Sequence, residues 1–78
     1  MQYDNLIKEA GKLIVENKLG STSLLQRKLK ISFTRATTIM AQLEKLEVVG
    51  SFEGNKPRVV KFRDVDSLNK YFSTIKNI

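Results

Sequence analysis

Three residues, Lys30, Ile31 and Ser32, are all that separate two stretches of helical periodicity, and no other feature of the chain limits its fold as tightly. After them, Ala36, Ile39, Met40, Leu43 and Leu46 recur at the i, i+3, i+4, i+7, i+10 spacing of one helix face, and Ser32 is placed to cap the start. Before them, Ser23 with Gln26 three residues later has the spacing of a capping box, and a short helix running to about Lys30 buries Leu25 and Leu29. So tight a connection makes the two helices cross at an angle, the helix-turn-helix arrangement.

The flanking segments complete the pattern. Residues 4 to 17 set Leu6, Ile7, Ala10, Leu13 and Ile14 on one face and Lys8, Glu9, Lys12 and Glu16 on the other, with Asp4 as a cap, which predicts a first helix. Lys18, Leu19 and Gly20 end it. After Leu46 the period changes, and "VVGSF" and "RVVKF" read as β-branched and aromatic strands around "EGNKP", where Gly54 and Asn55 supply turn conformations. Pro57 has no amide donor and belongs at the start of the second strand or on an unpaired edge. Val65, Leu68, Phe72 and Ile75, with Tyr71 beside them, predict a fourth helix capped by Asp64 or Asp66. The expected architecture is α+β, mainly α: a winged helix-turn-helix of three helices plus a two-stranded wing hairpin, with an additional C-terminal helix. Residues 1–63 are expected to form the winged-helix domain and residues 64–78 a helical extension packed on it.

Charge decides what such a domain meets. The chain carries a net charge of +6. All of the excess lies between residues 21 and 63, where Arg27, Lys28, Lys30, Arg35, Lys45, Lys56, Arg58, Lys61 and Arg63 face only Glu44, Glu47 and Glu53. Bases and acids cancel at the two ends. A one-sided basic field attracts polyanions. Catalysis finds no support: there is no histidine or cysteine, the acids are scattered, and no phosphate-binding G-x-x-x-x-G-K-[ST] loop exists. No cofactor or metal is expected. No apolar run is long enough for a membrane span or signal peptide, which leads to the expectation of a cytoplasmic, nucleoid-associated protein with no membrane partner.

Stepping 100° per residue around the third helix from Leu43 puts Thr34, Thr38, Ala41 and Lys45 opposite the core, with Arg35 and Gln42 flanking one side and Thr37 the other. This face is small, polar and free of acids over its first two turns, so it can approach base-pair edges closely. Thr34, Arg35, Thr38 and Gln42 are the expected base readers. Ser23, Arg27, Lys28, Lys30, Thr37, Lys45, Asn55, Lys56 and Arg58 are the expected contacts to the DNA backbone. The competing role is protein interaction through the wing or the extra helix, and a stand-alone transcriptional regulator is a further alternative.

The residues so singled out also carry a family likeness. "SLLQR" at 23–27, "RA" at 35–36 and "KPR" at 56–58, in this order and spacing, resemble the C-terminal gamma domain of the FtsK/SpoIIIE DNA translocases over roughly residues 3 to 61. The resemblance implies a winged helix that reads short, polar, G-rich chromosomal sequences so that a motor, in cis or in trans, moves in one direction. It implies double-stranded DNA as partner, several copies side by side on the DNA, and in part of the family contact with a site-specific tyrosine recombinase. Carried over by position, it makes Arg35 the first recognition-helix arginine and Arg27, Lys56 and Arg58 backbone and wing contacts. The chain departs from the pattern in four places. Ser32 and Phe33 stand for Gly and Tyr, Thr34 and Thr38 stand where the family offers Asn and a second Arg, Glu47 replaces a helix-ending glycine, and residues 64–78 are additional. Base reading is therefore expected to differ from a G-rich preference, with one strong G·C position opposite Arg35 and tolerance of A·T opposite the threonines.

Overall fold

The helices begin where local side chains satisfy the free amides of their first turn. A computed structural model describes residues 2–78 and contains α1 (Ile7–Asn17), α2 (Thr22–Leu29), α3 (Phe33–Lys45) and α4 (Val65–Phe72). Ser32 Oγ accepts from the Arg35 amide at 3.1 Å, and Asp64 Oδ1 accepts from the Ser67 amide at 2.8 Å. At α2 the cap is Ser21, whose Oγ accepts from the Leu24 amide at 3.3 Å, and not Ser23. Leu24 is buried beside Leu25, and Leu29 is half-buried. Asp4 caps a turn rather than a helix. Its Oδ1 accepts from the Leu6 amide at 2.8 Å and its carbonyl from the Ile7 amide at 3.0 Å, a local turn that displaces the first helical residue to Ile7.

The ends are equally local. Lys18 and Lys30 close α1 and α2 in the left-handed conformation, at φ 51° and 54°. Glu47 adopts φ 64° beyond α3, where the Val48 amide bonds to the Leu43 carbonyl at 2.9 Å and the Glu47 amide to the Glu44 carbonyl at 2.9 Å. This is the paired bonding of a Schellman ending, made with glutamate where glycine is usual.

One continuous core joins the helices. Ala36, Ile39, Met40, Leu43 and Leu46 are all buried, as their spacing predicts, and α3 packs against both α1 and α2. α1 buries Ile7, Ala10, Gly11, Ile14 and Val15, so its inner stripe is rotated toward α4 relative to the expected face, and Leu6 and Leu13 sit at its margin. The rotation has a cause at Gly11. A Cβ built there would stand 3.0 Å from Phe72 Cζ and 3.3 Å from Leu68 Cδ2, so α4 lies directly on the bare backbone of α1. The Tyr71 hydroxyl donates to the Leu46 carbonyl at the end of α3 and its ring lies 5.1 Å from that of Phe62, tying α4 to a second helix.

Between α3 and α4 the chain runs out and back over residues 48–61. Its limbs pair at Val49 with Val60 and at Glu53 with Lys56, and it reverses at Gly54, where φ is 70°. The expected two-stranded ladder is reduced to isolated antiparallel bridges. The Gly50 amide bonds to the Val59 carbonyl at 2.8 Å and the Lys61 amide to the Val48 carbonyl at 2.9 Å. Farther out, the Gly50 carbonyl accepts from the Arg58 side chain at 3.2 Å, while the Arg58 amide bonds to Gly20 between α1 and α2 at 2.9 Å. Pro57 next to it has no amide to offer. The result is a mainly helical domain with four helices and an antiparallel excursion anchored to the linker before α2.

Candidate nucleic-acid interface

The outward row of α3 consists of Thr34, Thr38, Ala41 and Lys45, all exposed. The Thr34 carbonyl accepts from Thr37 Oγ1 at 2.8 Å and from Thr38 Oγ1 at 3.1 Å. Both hydroxyl protons are thereby used within the helix, as β-hydroxyl side chains often do. What Thr38 offers outward is then an acceptor lone pair and a methyl group. That combination suits an amino donor on a base edge or the methyl of thymine, and it does not suit an acceptor such as guanine O6.

The flank of α3 is strapped to the N-terminal segment. The Asp4 amide donates to Gln42 Oε1 at 2.9 Å, and Arg35 grips the Asp4 carboxylate with Nε to Oδ2 at 3.0 Å and Nη2 to Oδ1 at 2.9 Å. Such a two-pronged pair is stronger and more directional than a single contact. The Arg35 side chain remains 45% exposed, while that of Asp4 is 15% exposed. The hydrogen bond from Arg35 chiefly, with the Leu6 amide behind it, holds the Asp4 carboxyl below its ordinary value against the opposing effect of burial. The Arg35 guanidinium is raised in turn by its bond to Asp4. Gln42 is half-buried with its acceptor committed, so it lacks the free acceptor and donor pair needed to grip adenine.

The cations outside this row are unevenly free. Ser23, Arg27, Lys28 and Lys30 on and after α2 are exposed, as are Asn55 and Lys56 at the reversal, and Thr37 is half-buried on the other flank. Arg58, expected to contact the DNA backbone, is engaged within the protein. Its side chain is 14% exposed, pairs through Nη1 with Glu44 on α3, donates to the Gly50 carbonyl, and lies 5.9 Å from the center of the Phe52 ring. It braces the excursion against α3, and in doing so neutralises the one acid in the last turns of that helix. Asp4, Gly20 and Glu44 are the contributors that sequence reasoning passed over. Among the described residues no group of three or more His, Cys, Asp or Glu is gathered for a metal, and no helix is long and apolar enough to cross a membrane.

The Ftsk gamma domain family matches residues 1–63. A DNA translocase FtsK of Clostridium acetobutylicum is 51% identical over 55 residues, which is 70% of this chain and 7% of that protein. The DNA translocase FtsK of Chlorobaculum tepidum is 43% identical over 65 residues, 83% of this chain and 8% of that protein. That of Bacillus cereus is 44% identical over 62 residues, 80% and 8%. The chain thus spans less than a tenth of the length of the curated relatives it matches. The family match takes in α1, α2, α3 and the excursion in full and ends before α4. The chain belongs to the Ftsk gamma domain family.

Proposed function

We propose that this chain is a sequence-recognising module for double-stranded DNA, a winged helix-turn-helix with α3 in the major groove and residues 48–61 as the wing on the backbone. Residues 1–63 form the binding domain and residues 64–78 a helical extension of it. The observation that carries the reading is the outward row of α3, small and free of acids over its first two turns, in a chain that also exposes Arg27, Lys28, Lys30 and Lys56. Thr34 and Thr38 meet base edges, Arg35 supplies the single guanine contact, and Ser23, Thr37, Lys45 and Asn55 join the four cations at phosphates. Membership of the Ftsk gamma domain family supports a place beside a DNA translocase, in which a module of this kind orients the motor and several copies lie side by side on one site. A site-specific tyrosine recombinase is a partner the same role accommodates, and the chain itself performs no catalysis.

Salt dependence tests the reading. With about five phosphates neutralised by Arg27, Lys28, Lys30, Lys45 and Lys56, the logarithm of the binding constant falls with the logarithm of salt concentration at a slope near −4.5. A duplex titration whose affinity is flat in salt refutes it. Exposed Leu19, Phe52 and Val59 favour a second reading, docking of a protein, and an association insensitive to salt but abolished by Val59→Asp supports that reading instead.

A further inference from the structure

We infer that Asp4 is a positioning residue for base reading: it holds the Arg35 guanidinium by one edge and so presents the other edge to guanine. The inference rests on the DNA-binding reading above. Asp4 takes the side of the guanidinium that carries Nε and one proton of Nη2. Nη1 and the second proton of Nη2 have no protein acceptor among the described residues, and these are the donors an arginine directs at guanine O6 and N7 when it approaches end-on.

The carboxylate is itself immobilised. Its Oδ1 accepts from the Leu6 amide, and the Asp4 backbone is held by Gln42 on α3. A flexible arginine therefore meets a fixed partner and loses its rotamer freedom before any DNA arrives, which lowers the ordering cost of the guanine contact. The strap does not need Arg35 to stay in place, because the Leu6, Ile7 and Gln42 bonds hold it already. A negative charge beside a surface for a polyanion weakens general attraction. Its placement against the flank of α3 is accounted for by what it does to Arg35. Asp4 is then a determinant of specificity at the expense of non-specific affinity, and it acts through Arg35 without touching DNA.

The test uses the full chain, with preferred sequences selected from random duplex DNA and affinities measured for the selected duplex, a single base-pair variant at the guanine position and a scrambled duplex. Asp4→Asn keeps an oxygen for the Leu6 amide and removes the charge. It is expected to lower discrimination at the guanine position at least about fivefold, while affinity for the scrambled duplex stays level or rises. Arg35→Ala shows the same loss, and the double variant loses no more than Arg35→Ala alone. A purely structural Asp4 weakens all duplexes alike and leaves the ratio between the guanine duplex and its variant unchanged. Full discrimination retained by Asp4→Asn, or additive losses in the double variant, overturns the inference alone. A wild-type chain that binds no duplex at all refutes the DNA-binding reading itself.

Discussion

Gly20→Ala is a one-methyl change that the structure marks as severe. Gly20 lies in the linker between α1 and α2, fully enclosed, and pairs with Arg58 through the bond from the Arg58 amide at 2.9 Å. A Cβ built on Gly20 stands 2.3 Å from the Arg58 carbonyl oxygen and 2.9 Å from its carbonyl carbon, inside the 3.0 Å below which real Cβ contacts essentially cease. The obstacle is backbone, so no side chain can swing aside. Either the linker or the returning limb of the excursion has to shift, and overpacking of this kind costs about 1–3 kcal/mol. Losing the bridge bond adds about 0.5–1.5 kcal/mol. The sum, about 1.5–4.5 kcal/mol, is a large part of the roughly 4–12 kcal/mol expected for a chain of this size. Urea unfolding followed by circular dichroism reads it directly, with Gly50→Ala as the control, since a Cβ there meets nothing closer than 3.5 Å. A Gly20→Ala protein within 0.5 kcal/mol of wild type, about the noise of such a comparison, refutes the reasoning that this contact anchors the excursion to the helices.

Three further outcomes follow from particular contacts. Glu47→Gly relieves the left-handed backbone at φ 64° while giving up an exposed ion pair with Lys61, so it stabilises by about 0.5–1 kcal/mol and raises the melting temperature by roughly 2–8 °C; a lowered melting temperature contradicts it. Lys56→Ala weakens binding to every duplex without changing the melting temperature, whereas Arg58→Ala, which strips the brace to Glu44 and Gly50, destabilises the fold by about 1–3 kcal/mol; equal effects of the two on both measurements go against the division. Because the Asp4 carboxyl is depressed in the folded state, the stability it contributes is complete above the ordinary carboxylate range and is lost as pH falls below about 4; the stability gap between wild type and Asp4→Asn therefore closes in acid, and a gap that persists undiminished well below that range speaks against the pair.

What the sequence could reveal depended on how local the cause was. The whole inner stripe of α3 and its cap at Ser32 were readable, because spacing within one helix and a hydroxyl three residues from an amide are local facts. The phase of α1 was not. Gly11 reads as a weak point in a helix until the ring of Phe72 is found against it, 61 residues further on. The spacing of Ser23 and Gln26 pointed to a cap two residues too late, because Ser21 has the same offset to the Leu24 amide and spacing alone does not rank the two. The β-branched limbs around Gly54 were visible, but not that the Arg58 side chain would take the Gly50 carbonyl and leave the ladder as isolated bridges. At the interface, the free cations of α2 and the threonine row were legible as exposed positions on periodic helices. Asp4 and Arg35 are 31 residues apart, and nothing in either neighbourhood announces the pair.

In the proposed complex DNA is met by the outward row of α3, the cations of α2 and the reversal of the excursion. Titrating the chain with a duplex and following backbone amide chemical shifts tests it most directly. The largest changes are expected at Thr34, Arg35, Thr38, Ala41 and Lys45, at Arg27 through Lys30, and at Gly54 through Lys56, with α4 unmoved. Changes gathered instead on Leu19, Val59, Phe62 and Arg63, with the α3 row silent, contradict it.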